Sequence, residues 1–229
     1  MFAIGDLHLS FSSDKPMGIF GAGWEDHHEK LYENWNKTVG ADDTVFVVGD
    51  ISWALKFEEA LADLAWLHEL PGTKVLLRGN HDLWWASIGK LRSLYDDMIF
   101  IQNDSYVVDD RVICGSRGWT TPDDINYDVS KDEKIYDREL IRLRMSLESA
   151  AKSGAAECIV GLHYPPTARP GAMSGFKNLI AEFGAAKAVY GHLHGREAFK
   201  KGIQGRHGDT EYYLAAADYV DFTPILISE

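Results

Sequence analysis

Five times along the chain a short apolar run reaches a glycine and is followed at once, or one residue later, by Asp, Asn or His. The runs are MFAIGDLH at the start, TVFVVGD ending at Asp50, KVLLRGNHD ending at Asp82, CIVGLH ending at His163 and AVYGHLH ending at His194. Runs of this length, rich in Val and Ile, predict buried strands. Glycine suits a sharp change of backbone direction and close approach to a ligand. Polar side chains delivered at the ends of buried strands are costly unless they have partners or work to do. Any one of these ends reads as readily as a capped strand. Together they hold five of the nine histidines, namely His8, His81, His163, His192 and His194. Strands lying side by side would bring these ends to one crevice, where ligands bind in open α/β sheets.

The intervening periodicity predicts helices. One starts at Asp26 and runs to about Thr38, with Leu31 and Trp35 inward. A second carries Phe57, Leu61, Leu64 and Leu67 on one face and stops before Pro71 and Gly72. Others run from about Trp84 to Leu94, over residues 132–152 with Leu140, Leu143 and Leu147 inward, and for about eight residues from Phe176. Residues 98–101, 105–108 and 111–114 read as adjacent strands joined by turns, and AFKKGI, EYYLAAADYV and FTPILI as antiparallel strands of the tail. From Leu9 to Trp24 there is no period. Because this loop leaves the first polar strand end directly, it reads as a lid. No linker or repeat intervenes, so residues 1–229 read as a single α/β domain of two packed mixed sheets flanked by helices.

Charge narrows the partners. The 23 basic and 35 acidic residues give a net charge of −12, which argues against a nucleic-acid or anionic-membrane surface. An anionic substrate would need local positive charge, which bound metal ions supply. Cys114 and Cys158 lie in strand-like runs without a CxxC, which fits two buried thiols of a reducing compartment rather than a structural zinc site. The N-terminus has no basic, apolar leader and no apolar run approaches 18 residues, so a cytoplasmic protein without a membrane segment is expected.

Asp6, His8, Asp50, Asn80, His163, His192 and His194 form a donor set of oxygens and imidazoles suited to two divalent transition ions. His192 and His194 flank Leu193, so in an extended segment both point one way, and Asp6 and His8 share that spacing. Cysteine is absent from the set, which favours manganese, iron or zinc. In chain order, GDLH at 5–8, GD at 49–50, GNHD at 79–82, His163 and GHLH at 191–194 resemble the five-block signature of the calcineurin-like metallophosphoesterases.

That resemblance implies a four-layer α/β sandwich with a dinuclear metal site. Asp6, His8 and His194 would bind one ion, Asn80, His163 and His192 the other, and Asp50 would bridge. A hydroxide between ions about 3.5 to 4 Å apart would attack phosphorus. His81 matches the family histidine that stabilises or protonates the leaving group, and Asp82 either orients His81 or caps the following helix. Two departures argue against a phosphoprotein phosphatase: the second block continues as GDISWAL, without the Asp-Arg-Gly of the family's protein phosphatases, and the third ends in Asp82 where theirs ends in Glu. The expectation is hydrolysis of phosphomonoesters or phosphodiesters of small molecules. A non-catalytic module of the same fold is the rival reading, and the presence of all seven ligands and His81 weighs against it.

Aromatic residues surround these blocks. Trp24 and Trp119 lie in loops and read as a substrate rim, with Arg117 as a phosphate partner. Trp53 and one of Trp84 and Trp85 read as core, and His27 and His28 as solvated. A rim of flat rings favours nucleotide-like or aryl phosphoesters over short aliphatic ones.

Overall fold

The apolar runs assemble as two sheets. In the first, β1 (Phe2–Ile4), β2 (Thr44–Val47), β3 (Thr73–Leu76) and β4 (Met98–Phe100) are parallel neighbours, and β11 (Ile225–Leu226) pairs antiparallel with β1. In the second, β6 (Arg111–Ser116), β7 (Glu157–Leu162), β8 (Lys187–Tyr190) and β10 (Thr210–Leu214) are parallel. Its edges are antiparallel, made by β5 (Ser105–Val108) beside β6 and β9 (Gly205–His207) beside β10. The computed structural model describes residues 1–13 and 15–229, so Asp14 of the predicted lid lies outside the described residues.

The sheets face each other through Ala3, Phe46, Val48, Val75 and Leu77 on one side and Ile113, Ile159, Val189 and Ala215 on the other. Helices cover the outer faces. On the first sheet, α1 (His27–Thr38) and α2 (Phe57–His68) lay Leu31, Trp35, Leu64 and Leu67 over Ile4, Val45, Val47 and Leu76. On the second, α4 (Val129–Ala151) and α5 (Gly175–Glu182) lay Leu143, Leu147, Phe176 and Ile180 over Val112, Cys114, Val160 and Ala188. The result is the expected four-layer sandwich of two mixed sheets flanked by helices. Burial on both faces is why these strands read as unbroken apolar runs instead of alternating ones.

Several expectations change. The buried stripe of α2 is Ala60, Asp63, Leu64 and Leu67, with Leu61 outward. Asp63 turns inward because its carboxylate accepts the N–H of Phe11 and the hydroxyl of Ser52, tying together the loops after β1 and β2. The helix expected from Trp84 to Leu94 shrinks to one turn, α3 (Ile88–Leu91), because the indole N–H groups of Trp84 and Trp85 are drawn to Asp82 and Gln102. Both tryptophans are buried.

β4 joins the first sheet, and only β5 and β6 form the expected hairpin. AFKKGI is not a strand. Gly195, at φ +81°, lets the chain turn into α6 (Arg196–Phe199). In the tail, β10 lies parallel to β8, then Ala215–Ala217 cross to the first sheet, where Gly5 N–H donates to Ala215 and Ala217 N–H donates to Gly5. Cys114 and Cys158 are free thiols with sulfurs 3.8 Å apart, the first buried and the second partly so. No helix among the described residues is long and apolar enough to cross a membrane.

Candidate metal centre

The carboxyl ends of the parallel strands of both sheets meet where Ala215–Ala217 bridge them, and the predicted polar residues collect there. Asp6 and His8 follow β1, Asp50 follows β2, Asn80 follows β3, His163 follows β7, and His192 and His194 follow β8. Asp6, His8, Asp50 and His192 all have positive φ, from 47° to 69°. For residues with a Cβ this region costs on the order of 1–3 kcal/mol each, and such conformations concentrate at functional sites. Two glycines admit the carboxylates: a Cβ on Gly79 would collide with Asp50, and one on Gly191 with Asp6.

The donors fall into two groups. In one, His194 Nε2 lies 3.4 Å from His8 Nε2 and 3.5 Å from Asp6 Oδ1. In the other, His163 Nε2 lies 2.7 Å from Asn80 Oδ1, 3.2 Å from His192 Nδ1 and 3.3 Å from Asp50 Oδ2. Asp50 Oδ2 is also 3.9 Å from His8 Nε2, which puts this carboxylate between the groups. Ligands held about 2.1 Å from a common ion stand roughly 3.0 to 3.4 Å apart in octahedral or tetrahedral geometry, so these separations suit a metal.

The tautomers sharpen the fit. His163 Nδ1 is 3.1 Å from the Val48 carbonyl, which can only accept, so Nδ1 carries the proton. A neutral His163 would then aim its Nε2 lone pair at the oxygens of Asn80 and Asp50. A cation relieves that crowding of acceptors, either a proton or a metal ion. Burial lowers the His163 imidazole, but the Asp50 carboxylate overrides it and raises the group to about 9. His194 is likewise raised to about 10 against its burial, by Asp218 and Asp6. Burial and the neighbouring His163 push His192 down to about 3. With no sulfur in the set, the donors fit borderline or hard divalent ions.

Supporting contacts include residues the sequence does not reveal. Asp218 Oδ1 accepts from His194 Nδ1 at 2.9 Å and its other oxygen accepts the Gly195 N–H, the carboxylate–imidazole pairing that orients metal-binding histidines. Tyr164 lies over His192, ring centroids 4.0 Å apart. His27, expected in solvent, is buried, with Nε2 3.0 Å from the Leu7 carbonyl and its ring edge-on to Trp24.

Asp82 fills neither expected role. Its carboxylate accepts the N–H groups of Ile51, Ser52 and Gly79 and the indole N–H of Trp84, so it ties the loop after β2 to the loop after β3. His81 instead donates its backbone N–H to Asp50 and presents its ring at the surface of the site, with Nε2 4.0 Å from Asp50 Oδ2.

A cavity of about 370 Å³ opens over His8, Asp50, His81, His192 and His194, walled by Met17, Phe20, Trp24 and Trp53. The segment read as a lid thus supplies three of the walls, from one-turn 3₁₀ helices at Met17–Phe20 and Ala22–Trp24. Trp24 is buried, edge-on to His8 and His194. Trp53, expected in the core, stacks on His8 at 4.9 Å and leans on His81 at 4.1 Å, with its N–H on the Met17 sulfur. Arg117 and Trp119 are not brought to this cavity. Arg117 turns to the buried Glu139 and stacks on Trp119, whose indole N–H is held by Asp132.

Comparison with known proteins agrees with this geometry. A 77-residue stretch is 36% identical to the Gene 66 protein of Mycobacterium phage L5, covering 34% of this chain and 37% of the phage protein. A 57-residue stretch is 44% identical to the Gene 66 protein of Mycobacterium phage D29, covering 25% and 28%. The match thus spans about a third of the length of each phage relative. Two solved structures share the fold nearly end to end. One is a protein of unknown function from Aquifex aeolicus, with TM-score 0.52, 17% identity and coverage of 98% of this chain and 94% of that one. The other is a phosphopantetheinyl hydrolase from Mycobacterium tuberculosis, with TM-score 0.56, 13% identity and coverage of 99% and 95%. A family model for calcineurin-like phosphoesterase matches residues 2–196, a span that takes in every block from Asp6 to His194, and the chain belongs to that family of metal-dependent hydrolases.

Proposed function

We propose that the protein is a dinuclear-metal phosphoesterase acting on small-molecule esters that carry an aromatic or ring-shaped group. The observation that carries this reading is the pair of donor groups, joined by Asp6 and with Asp50 reaching toward both His8 and His163, beneath a cavity walled by Trp24, Trp53, Phe20 and Met17. Asp6, His8 and His194 would hold one ion, Asn80, His163 and His192 the other, with Asp50 shared. Bound there, two divalent ions supply charge neutralisation at phosphorus and an activated water.

The chain's own residues do the rest. Asp50 anchors the His81 backbone, and Trp53 holds the His81 ring at the cavity edge, so His81 is positioned to hydrogen-bond the leaving oxygen. Burial lowers the His81 imidazole against the opposing pull of Asp50, which leaves it a neutral N–H donor near pH 7. The indoles would stack on the leaving group, an interaction worth about 1–3 kcal/mol per base where measured. The phosphopantetheinyl hydrolase that shares the fold is compatible with a small phosphoester substrate.

The test is metal analysis after manganese loading, joined to hydrolysis of an aryl phosphate and of glycerol phosphate. About two ions per chain and a preference for the aryl ester are expected. Fewer than one ion per chain would overturn the dinuclear reading. A second check separates binding from chemistry: His81→Ala should keep both ions and lose about 10²-fold in turnover, the scale of a positioned acid or donor.

A further inference from the structure

A second cavity of about 370 Å³ shares no lining residue with the one over the histidines. It opens where the chain leaves β3, β4 and β6, and α4 contributes Glu139 and Arg142. Its lining holds three guanidinium groups, of Arg78, Arg117 and Arg142, against the single carboxylate of Glu139, a local surplus of two positive charges in a chain of net charge −12.

Glu139 cannot satisfy them. One of its oxygens, Oε1, lies 2.7 Å from Arg142, 3.4 Å from Arg117 and 3.8 Å from Arg138, whose side chain is about half exposed. Arg117 Nε is buried with no hydrogen-bond partner, and Arg78 directs its Nε to the Asp82 carbonyl. Planar guanidinium forks converging on a half-enclosed space recognise carboxylate and phosphate oxygens, often bidentately.

Two of the arginines are fixed by the metal-centre segments. Arg78 immediately precedes Gly79 and Asn80, and the Arg117 carbonyl accepts the N–H groups of His163 and Tyr164, both at 3.0 Å. We propose that Arg78, Arg117 and Arg142 form a second oxyanion site for a phosphate-type group, separate from the ester at the histidine cluster. The group belongs either to a remote phosphate on the substrate or to a free ion; the chemistry of recognition is the same.

The test is calorimetric titration of orthophosphate into the full chain, loaded with manganese and after chelation. One phosphate site should persist without metal, and Arg142→Gln and Arg78→Gln should each weaken it at least tenfold, with partial recovery in Arg142→Lys. The Arg142 side chain is 42% exposed, and in the glutamine variant the buried Glu139 keeps Arg117 and Arg138 beside it; a thermal melt of each variant checks that the fold is kept. Phosphate binding that disappears entirely with the metal, or that stays within twofold in both glutamine variants, would overturn the proposal. The source is read from the KM ratio between an ester with a second phosphate and one without. A tenfold shift of that ratio in Arg142→Gln assigns a substrate-borne group, and a constant ratio with the titration lost assigns a free ion.

Discussion

Asp218 illustrates how a candidate metal site depends on a residue that sits one step behind its donors. By accepting from His194 Nδ1 it fixes the tautomer and aims Nε2 at Asp6 and His8. Asp218→Asn is expected to weaken metal binding about 10- to 100-fold, measured by competition with a chelating dye. Asp82 works on the scaffold instead. Removing its carboxylate in Asp82→Ala strands four buried N–H groups, so urea denaturation should show a loss of at least about 3 kcal/mol. The histidines and aspartates from Asp6 to His194 are legible in the sequence because each sits within a few positions of a glycine at a strand end, a local pattern. Asp218 also follows a strand, but Ala215–Ala217 stand where the glycine would be. Arg117 and Asp82 escape a sequence reading for another reason. Their partners, Glu139 for one and the loop at Ile51 and Ser52 for the other, come from distant segments, and no local spacing reports them.

At the scale of elements, the most informative strand is β3, which reads in sequence as a plain apolar run yet buries the ammonium of Lys74. That charge is held by Asp97 and by the carbonyls of His68 and Leu70. Breaking such a pair leaves an uncompensated buried charge, so Asp97→Ala should cost about 3–5 kcal/mol in chemical denaturation. Burial raises the Asp97 carboxyl, but Lys74 and His68 outweigh it and the group ends below its ordinary value of 3.8. Its contribution is therefore present above about pH 4 and fades as pH falls through the lower folded value, a loss that Asp97→Ala should abolish. The segment from Leu9 to Trp24 belongs to this scale too. Its lack of period correctly marks it as outside the sheets, while its two short 3₁₀ turns and its docking on Trp53 and His8 depend on tertiary contacts. Trp53→Ala should raise KM for an aryl phosphate about tenfold and leave that for glycerol phosphate nearly unchanged, in steady-state assays.

For the whole molecule, the order of layers is readable because doubly buried strands and amphipathic helices carry distinct patterns, whereas the assignment of β4 and β11 to the first sheet is not, since pairing across the chain leaves no local mark. The donors divide between the sheets: Asp6, His8, Asp50 and Asn80 extend from the first, and His163, His192 and His194 from the second. A metal ion held between them would act as a cross-link. An ion present at a hundred times its dissociation constant would add about 2.7 kcal/mol, so chelation should lower the melting temperature in scanning calorimetry, and manganese should restore it. The same seam sets a timetable for synthesis. At about 5–20 residues per second, Asp6 emerges from the ribosome roughly 10–40 s before His194. The Ala215–Ala217 crossing that clamps Gly5 comes later still. Through that interval the Phe46 and Val48 face of the first sheet lacks most of the cover that the second sheet gives it in the finished fold. The nascent chain is thus most exposed to misassociation while β7, β8 and β10 are still being made, and slower translation lengthens that exposure.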